Sequence, residues 1–112
     1  MVTRDPSTEH FTYRVTWSVE DGEHVATCAE FPSLSWLDGD AIEALRGIRR
    51  MVADAIEDMR ANGEAIPLPL AERDFSGKFV VRTTPDLHRR LTLEAAEAKV
   101  SLNRWVNAKL AM

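Results

Sequence analysis

The last third of the chain predicts a strand that has nothing within its own domain to pair with. Residues 78–83 alternate strictly between two faces, and Thr84-Pro85 then supplies a typical N-cap and first residue of a helix. A second helix pattern follows, with Ser101 as its N-cap, and no second strand pattern lies nearby. One strand and two short helices leave unpaired backbone groups and too little apolar surface for a stable core. We therefore predict that two copies of the chain pair these strands antiparallel.

The two faces of the predicted ribbon differ in their chemistry. Phe79 and Val81 lie on one face, where in a dimer they would cover the helices. The predicted dimer core also contains four helical residues: Leu87, Leu91, Trp105 and Val106. The opposite face carries Lys78, Val80 and Arg82. Because a two-stranded ribbon enters the DNA major groove, where Lys and Arg donate to guanine and a Val methyl contacts thymine, this face predicts base recognition.

The start of the second predicted helix is a candidate phosphate site. With Ser101 as the cap, the backbone amides of Leu102 and Asn103 lie at the positive end of the helix dipole. We expect a DNA phosphate there, at each edge of the ribbon. The predicted DNA-binding residues are therefore Lys78, Val80, Arg82, Ser101, Leu102 and Asn103.

These segments resemble a known family. Ser-Gly-Lys-Phe-Val-Val-Arg at residues 76–82 and Val-Ser-Leu-Asn at residues 100–103 resemble the ribbon-helix-helix DNA-binding proteins, and specifically the C-terminal domain of HicB-family antitoxins. In that family a glycine usually ends the first helix in a left-handed conformation, at the position that Lys99 occupies here. A positive φ at Lys99 would cost about 1 kcal/mol of backbone strain.

The first two thirds of the chain contain three strand patterns. Apolar and polar side chains alternate over residues 11–19, turn-forming residues occupy 20–23, and residues 24–30 form the returning strand. Phe31-Pro32 interrupts the pairing, so residues 33–37 are predicted to form a short edge strand.

One long helix pattern follows the strands. Asp40 is its predicted N-cap, the helix is expected over residues 41–62, and Gly63 is its predicted end. Its apolar side chains fall on a single stripe: Leu45, Ile48, Val52, Ala55, Ile56 and Met59. Two alternating prolines then favour extended chain, so residues 63–75 are predicted to form a linker.

This first module also resembles HicB antitoxins, whose N-terminal domain is a partial RNase H-like sheet with one helix. Residues 25–34 and 38–45 carry that likeness and, with the C-terminal segments, extend it over nearly the whole chain. The predicted fold class is α+β. A β-β-β-α module at residues 1–70 is followed by a ribbon-helix-helix dimerisation and DNA-binding domain at residues 71–112.

Charge separates the same two regions. Residues 1–75 contain seven basic and fifteen acidic side chains, a net charge of −8, whereas residues 76–112 contain seven basic and three acidic ones, a net charge of +4. A basic domain attached to an acidic one can bind nucleic acid with one end and attract a basic partner with the other.

The residues that could carry out catalysis or hold a metal do not form a site. A nuclease of RNase H-like fold holds metal ions with carboxylates on its strands, yet residues 13–19 contain neither Asp nor Glu. The acidic residues of the 20–23 turn are expected to be solvated, and the three histidines are far apart in sequence. No serine lies in a nucleophile motif, and the single Cys28 is expected to be a small buried side chain. We expect no catalytic residue, no metal, no cofactor and no enzyme activity.

Two tryptophans allow a choice of interpretation. Trp17 and Trp36 could line a binding groove, although aromatic residues at alternating strand positions more commonly belong to a core.

The resemblance implies the function and the partners. It implies a type II antitoxin that binds and neutralises a HicA-type toxin, a small basic mRNA-cleaving ribonuclease, and that represses its own operon by binding operator DNA as a homodimer or a higher oligomer. A stand-alone ribbon-helix-helix regulator with an N-terminal sensing module, and an enzyme with a degenerate nuclease domain, remain alternatives. No signal peptide pattern and no membrane-spanning run occurs in the sequence, so we expect a cytoplasmic protein that does not bind membranes.

Overall fold

The computed structural model describes residues 7–112, and the chain divides into two compact units, Met1–Phe75 and Ser76–Met112. The predicted domain boundary lies earlier, after Leu70. The difference arises because the predicted linker packs onto the first unit, where Pro69 is fully buried.

The first unit is an α+β module built on an antiparallel sheet. A short helix, α1 (Ser7–His10), precedes three strands, β1 (Tyr13–Ser18), β2 (Glu23–Cys28) and β3 (Ser35–Asp38), which lie in the order β1-β2-β3. Helix α2 (Ala41–Ala61) follows directly. The strands and the helix occur in the predicted order, and each predicted boundary falls within a few residues of the observed one.

Local signals in the sequence set both ends of α2. The Asp40 carboxylate accepts hydrogen bonds from two backbone N–H groups of the first turn, at 2.8 and 3.2 Å, as an N-cap does. At the other end Gly63 takes a φ of 70°, and the Glu64 N–H donates to the Met59 carbonyl over 2.8 Å. This arrangement satisfies carbonyls of the last turn that have no partner within the helix.

One apolar core joins the sheet to α2. Its buried members are Phe11, Ala26, Cys28, Phe31, Ala44, Ile48, Val52 and Ile56. The Phe11 and Phe31 rings pack edge to face, with their centroids 5.3 Å apart. Cys28 is a free, buried thiol, which confirms the prediction of a small buried side chain.

The buried carboxylate of Glu30 fastens the segment after α2 to the sheet. It accepts hydrogen bonds from the backbone N–H of Thr12 at 2.9 Å and from the N–H of Leu70 at 2.9 Å. The Thr12 hydroxyl donates a third, at 3.1 Å. Leu70 begins a short 3-10 helix, Leu70–Glu72. The predicted linker of residues 63–75 is therefore held on the first unit at Leu70, because a buried charge that accepts backbone N–H groups fixes this part of it.

These hydrogen bonds decide the protonation state of Glu30. Burial raises the pKa of its carboxyl, but the N–H groups of Leu70 and Thr12 stabilise the ionised form by more, so its pKa lies below the usual 4.5. A carboxyl whose pKa is lower in the folded than in the unfolded chain stabilises the fold above the unfolded-state pKa. That stabilisation is lost as the pH falls below about 4.5.

The second unit contains two helices, α3 (Pro85–Glu97) and α4 (Leu102–Leu110). The predicted caps are confirmed, because the Thr84 hydroxyl accepts from the Leu87 N–H at 3.2 Å and the Ser101 hydroxyl accepts from the Arg104 N–H at 3.1 Å. The predicted strand at residues 78–83 is not assigned in the single chain. A strand is defined by backbone pairing, and none of the described residues pairs with this segment. The ribbon therefore stays a prediction.

Lys99 ends α3 in the left-handed conformation that the sequence comparison anticipated. Its φ is 59°, and it is the one non-glycine residue with a positive φ among residues 7–112. The Lys99 N–H donates to Ala96 and the Val100 N–H donates to Ala95, each over 3.1 Å, which completes the helix end.

We predict that Glu30→Gln weakens the first unit by about 1–3 kcal/mol at neutral pH, because an amide has one accepting oxygen and would place its NH₂ group against N–H donors. Urea unfolding of the full chain measures this. The exposed Glu57→Gln is the matched control and should leave stability unchanged. Wild type should also lose stability as the pH falls below 4.5, and the variant should lose less. Equal pH dependence in both proteins would contradict the assignment.

We predict that Lys99→Gly raises the stability of the second unit by about 1 kcal/mol, because glycine adopts a positive φ without strain. The control is Lys99→Ala, which removes the charge but keeps the Cβ. Thermal unfolding should separate the two variants, and an equal gain in both would mean that charge rather than strain is responsible.

Candidate functional site

The second unit cannot bury its own apolar side chains. Among residues 76–112 the one fully buried side chain is Ala95, which is 3% exposed. Phe79, Val81 and Leu110 are 77%, 66% and 64% exposed. A unit with this little core is expected to depend on further contacts for its stability.

The exposed apolar side chains of this unit border a groove of about 840 Å³. It is lined by Val81, Arg82, Thr83, Leu87, His88, Arg90, Leu91, Glu94, Leu102, Val106, Lys109 and Leu110. The segment before α3 and the two helices all contribute to it, so a largely apolar groove edged by charged side chains lies open to solvent.

The predicted dimer core coincides with this groove in large part. Val81, Leu87, Leu91 and Val106 line it. Phe79 is exposed and is not among the lining residues. Trp105 is half-buried, with its indole N–H donating to the Glu94 carboxylate at 3.1 Å. That a second copy of the chain covers the groove stays a prediction.

Leu102 and Leu110 also line the groove, and neither is in the predicted dimer core. Their spacing of eight residues places them on one face of α4. This periodicity is the sequence signal that indicates a position in the same apolar surface. Leu102 was predicted as a DNA contact. The structure places its side chain in the apolar groove, so its backbone N–H is the group that remains for the predicted phosphate contact.

The other predicted DNA-binding residues are accessible. Lys78 and Arg82 are exposed, and Val80 is 87% exposed. Arg82 also lines the groove, at its border with the segment before α3. Ser101 and Asn103 are exposed at the start of α4. The Asn103 backbone carbonyl accepts from the Asn107 side-chain amide at 2.9 Å.

The first unit shows neither a metal centre nor an activated nucleophile in the described chain. Within residues 7–112 no three His, Cys, Asp or Glu side chains are grouped closely enough to hold a metal ion. Burial raises the pKa of the Cys28 thiol, which keeps it protonated and unreactive. Burial and the nearby Cys28 raise the pKa of Tyr13 to about 12, and its hydroxyl donates to the Thr8 carbonyl at 2.7 Å.

Trp17 and Trp36 are more exposed than residues of a core would be. Trp17 is 55% exposed, so the prediction that favours a core position is wrong for it. Trp36 is 37% exposed. Trp17 shares a face of β1 with Tyr13 and Val15, which pack on the core, but it lies beyond the part of that face that is buried. Sequence alternation cannot show where that cover ends.

None of the helices in residues 7–112 is long and apolar enough to cross a membrane.

Part of the chain is similar to a known protein family. Residues 61–110 match the family model described as the HicB family. The matched segment runs from the end of α2 through both helices of the second unit. No curated protein and no solved structure matches the chain.

We predict that Leu91→Asp prevents association of the second unit, because a carboxylate would be placed in the groove that a second copy is expected to fill. Leu93→Asp is the matched control on the same helix, since Leu93 is 59% exposed and does not line this groove. Analytical ultracentrifugation should show loss of the dimer for Leu91→Asp and its retention for Leu93→Asp. A dimer that survives both changes would place the interface elsewhere.

Proposed function

We propose, from the match of residues 61–110 to the HicB family model, that this chain is a cytoplasmic antitoxin that neutralises a HicA-type mRNA-cleaving toxin and represses its own operon. The match supports an antitoxin of a toxin–antitoxin system in general. The toxin class, the operator binding and the cytoplasmic location are the parts that we add. The observation that carries the proposal is that the matched residues include the predicted strand segment and both helices of the second unit.

The chemistry of the second unit supports DNA binding. Residues 76–112 have a net charge of +4, so a dimer brings eight net positive charges to a polyanion. Lys78, Val80 and Arg82 are exposed at alternating positions before α3. If two copies pair through this segment and close the groove, those three side chains face outward twice, in a ribbon that the major groove admits.

The chemistry of the first unit supports a basic protein partner. Residues 1–75 carry a net charge of −8, which disfavours nucleic acid and favours a protein whose own surface binds RNA. Covering that surface would block the toxin sterically and electrostatically. Neutralisation of this kind needs no reaction by the antitoxin.

Arg82→Ala should weaken binding to operator DNA upstream of the gene by about 1–3 kcal/mol, because the guanidinium can donate twice to guanine. Gel-shift titration at fixed salt measures the affinity for operator and for random DNA. The loss should be larger for the operator, whereas the control Arg89→Ala should weaken both equally or not at all. An unchanged preference for the operator in Arg82→Ala would contradict base recognition by this residue.

The proposed division of labour predicts which half rescues cells. A fragment of residues 1–75 contains the whole core of the first unit and should rescue growth of cells that express the toxin encoded beside the gene. Residues 76–112 should bind operator DNA without rescuing growth. Rescue by the second fragment alone would overturn the assignment, and rescue by the full chain alone would show that toxin binding needs both units.

A further inference from the structure

Aromatic and apolar side chains are exposed together at one end of the sheet. The strand register pairs Trp17 with His24 and His24 with Asp38, so these three residues form one row across the strands. The Trp17 ring packs against the edge of the His24 ring, with centroids 5.0 Å apart, and remains 55% exposed. Val19, in the turn that follows β1, is 86% exposed.

Trp36 lies on the same face of the sheet, two register positions away. It pairs with Ala26, which is two residues from His24 on β2, and residues two apart on a strand share a face. Its ring occupies the space that a side chain at Gly47 of α2 would need, since a Cβ there would lie 2.1 Å from the ring. The glycine thus lets the ring lie against the helix in a fixed orientation, with about a third of its surface still open. Ile42, in the first turn of α2, is 64% exposed.

The same end of the sheet is strongly acidic. Residues 15–45 contain seven carboxylates and no Lys or Arg. One of the seven is the buried Glu30. The other six lie in and after the turn between β1 and β2, at the end of β3 and at the start of α2: Glu20, Asp21, Glu23, Asp38, Asp40 and Glu43. Arg46 pairs with Glu43 at 2.6 Å from outside this stretch. The six acidic residues, with Trp17, Val19, Trp36 and Ile42, are called the acidic aromatic end below.

We propose that the acidic aromatic end is a docking surface for a basic protein, and that under the proposed function this protein is the toxin. Exposed tryptophan faces accept guanidinium groups, and a surrounding ring of carboxylates pairs with further Lys and Arg side chains. A second copy of this chain is a poor occupant, because six carboxylates would face six others. Nucleic acid is repelled for the same reason. The identity of the partner rests on the proposed function, whereas the preference for a basic surface rests on the charges and aromatic rings described here.

The first test uses hexa-arginine as a probe and needs no toxin. In the ¹⁵N-labelled full chain the three tryptophan indole N–H signals report separately on Trp17, Trp36 and Trp105. The peptide should shift the signals of Trp17 and Trp36 and leave that of Trp105 in place. The double variant Glu20→Lys/Glu23→Lys should abolish the shifts. The control Glu57→Lys/Glu64→Lys makes the same change in net charge at two exposed residues elsewhere, and it should retain the shifts. A peptide response confined to Trp105, or lost equally in both variants, would overturn the proposal.

The second test uses the toxin encoded beside the gene. Trp17→Ala should weaken its binding by about 30-fold or more, because a buried tryptophan anchor is commonly worth 2 kcal/mol or more. The Glu20→Lys/Glu23→Lys variant should slow association by about tenfold or more, with a strong salt dependence, and the control pair should bind as wild type does. Circular dichroism checks that each variant is folded.

The outcomes of the two tests separate the surface from the function. Toxin binding that is equal in all variants would overturn the docking surface and leave the proposed function standing. A response to hexa-arginine without any binding of the toxin by wild type would overturn the proposed function and leave the surface. Self-association that Trp17→Ala abolishes would assign the surface to a second copy and overturn the proposal.

Discussion

The organisation of this protein depends on a shortage of core in its second unit. Two helices and an extended segment leave most of their apolar side chains partly or fully exposed, and one side chain among residues 76–112 is fully buried. A groove of about 840 Å³ stays open where a core would otherwise form. Since apolar burial is the main source of folding free energy, such a unit is stable when another surface fills the groove. The second unit therefore needs the same association for its stability and for the proposed DNA binding.

The first unit meets the opposite condition, because α2 and the sheet bury a core of their own. The core does not fix the position of the segment that follows α2. Glu30 fixes it, through hydrogen bonds to Thr12 and Leu70. A buried carboxylate is costly unless several donors satisfy it, and here backbone N–H groups do so. The result is a compact acidic module in which Glu30 is the one buried carboxylate among the described residues.

Charge divides along the same line as packing. The module with its own core carries the net charge of −8, and the unit without one carries +4. This separation is consistent with two partners of opposite charge, a basic protein for the first unit and DNA for the second. Within the first unit the charge is concentrated further, since residues 15–45 contain no cation. The exposed tryptophans lie within that stretch, and this coincidence of rings and carboxylates is what distinguishes it from an ordinary solvated surface.

The sequence by itself determined the features that rest on local chemistry. Asp40, Thr84 and Ser101 cap their helices as predicted. Gly63 and Lys99 end theirs with a positive φ. The order of strands and helices follows the spacing at which apolar side chains recur in the sequence. These effects act within a few residues, so a linear reading captures them. Tertiary structure alone decided that Trp17 is exposed, that Trp36 lies on Gly47, and that Glu30 holds Leu70 forty residues away. Each of these depends on where α2 crosses the sheet and how much of it the helix covers. That geometry arises from packing between segments far apart in the chain, and no local pattern encodes it.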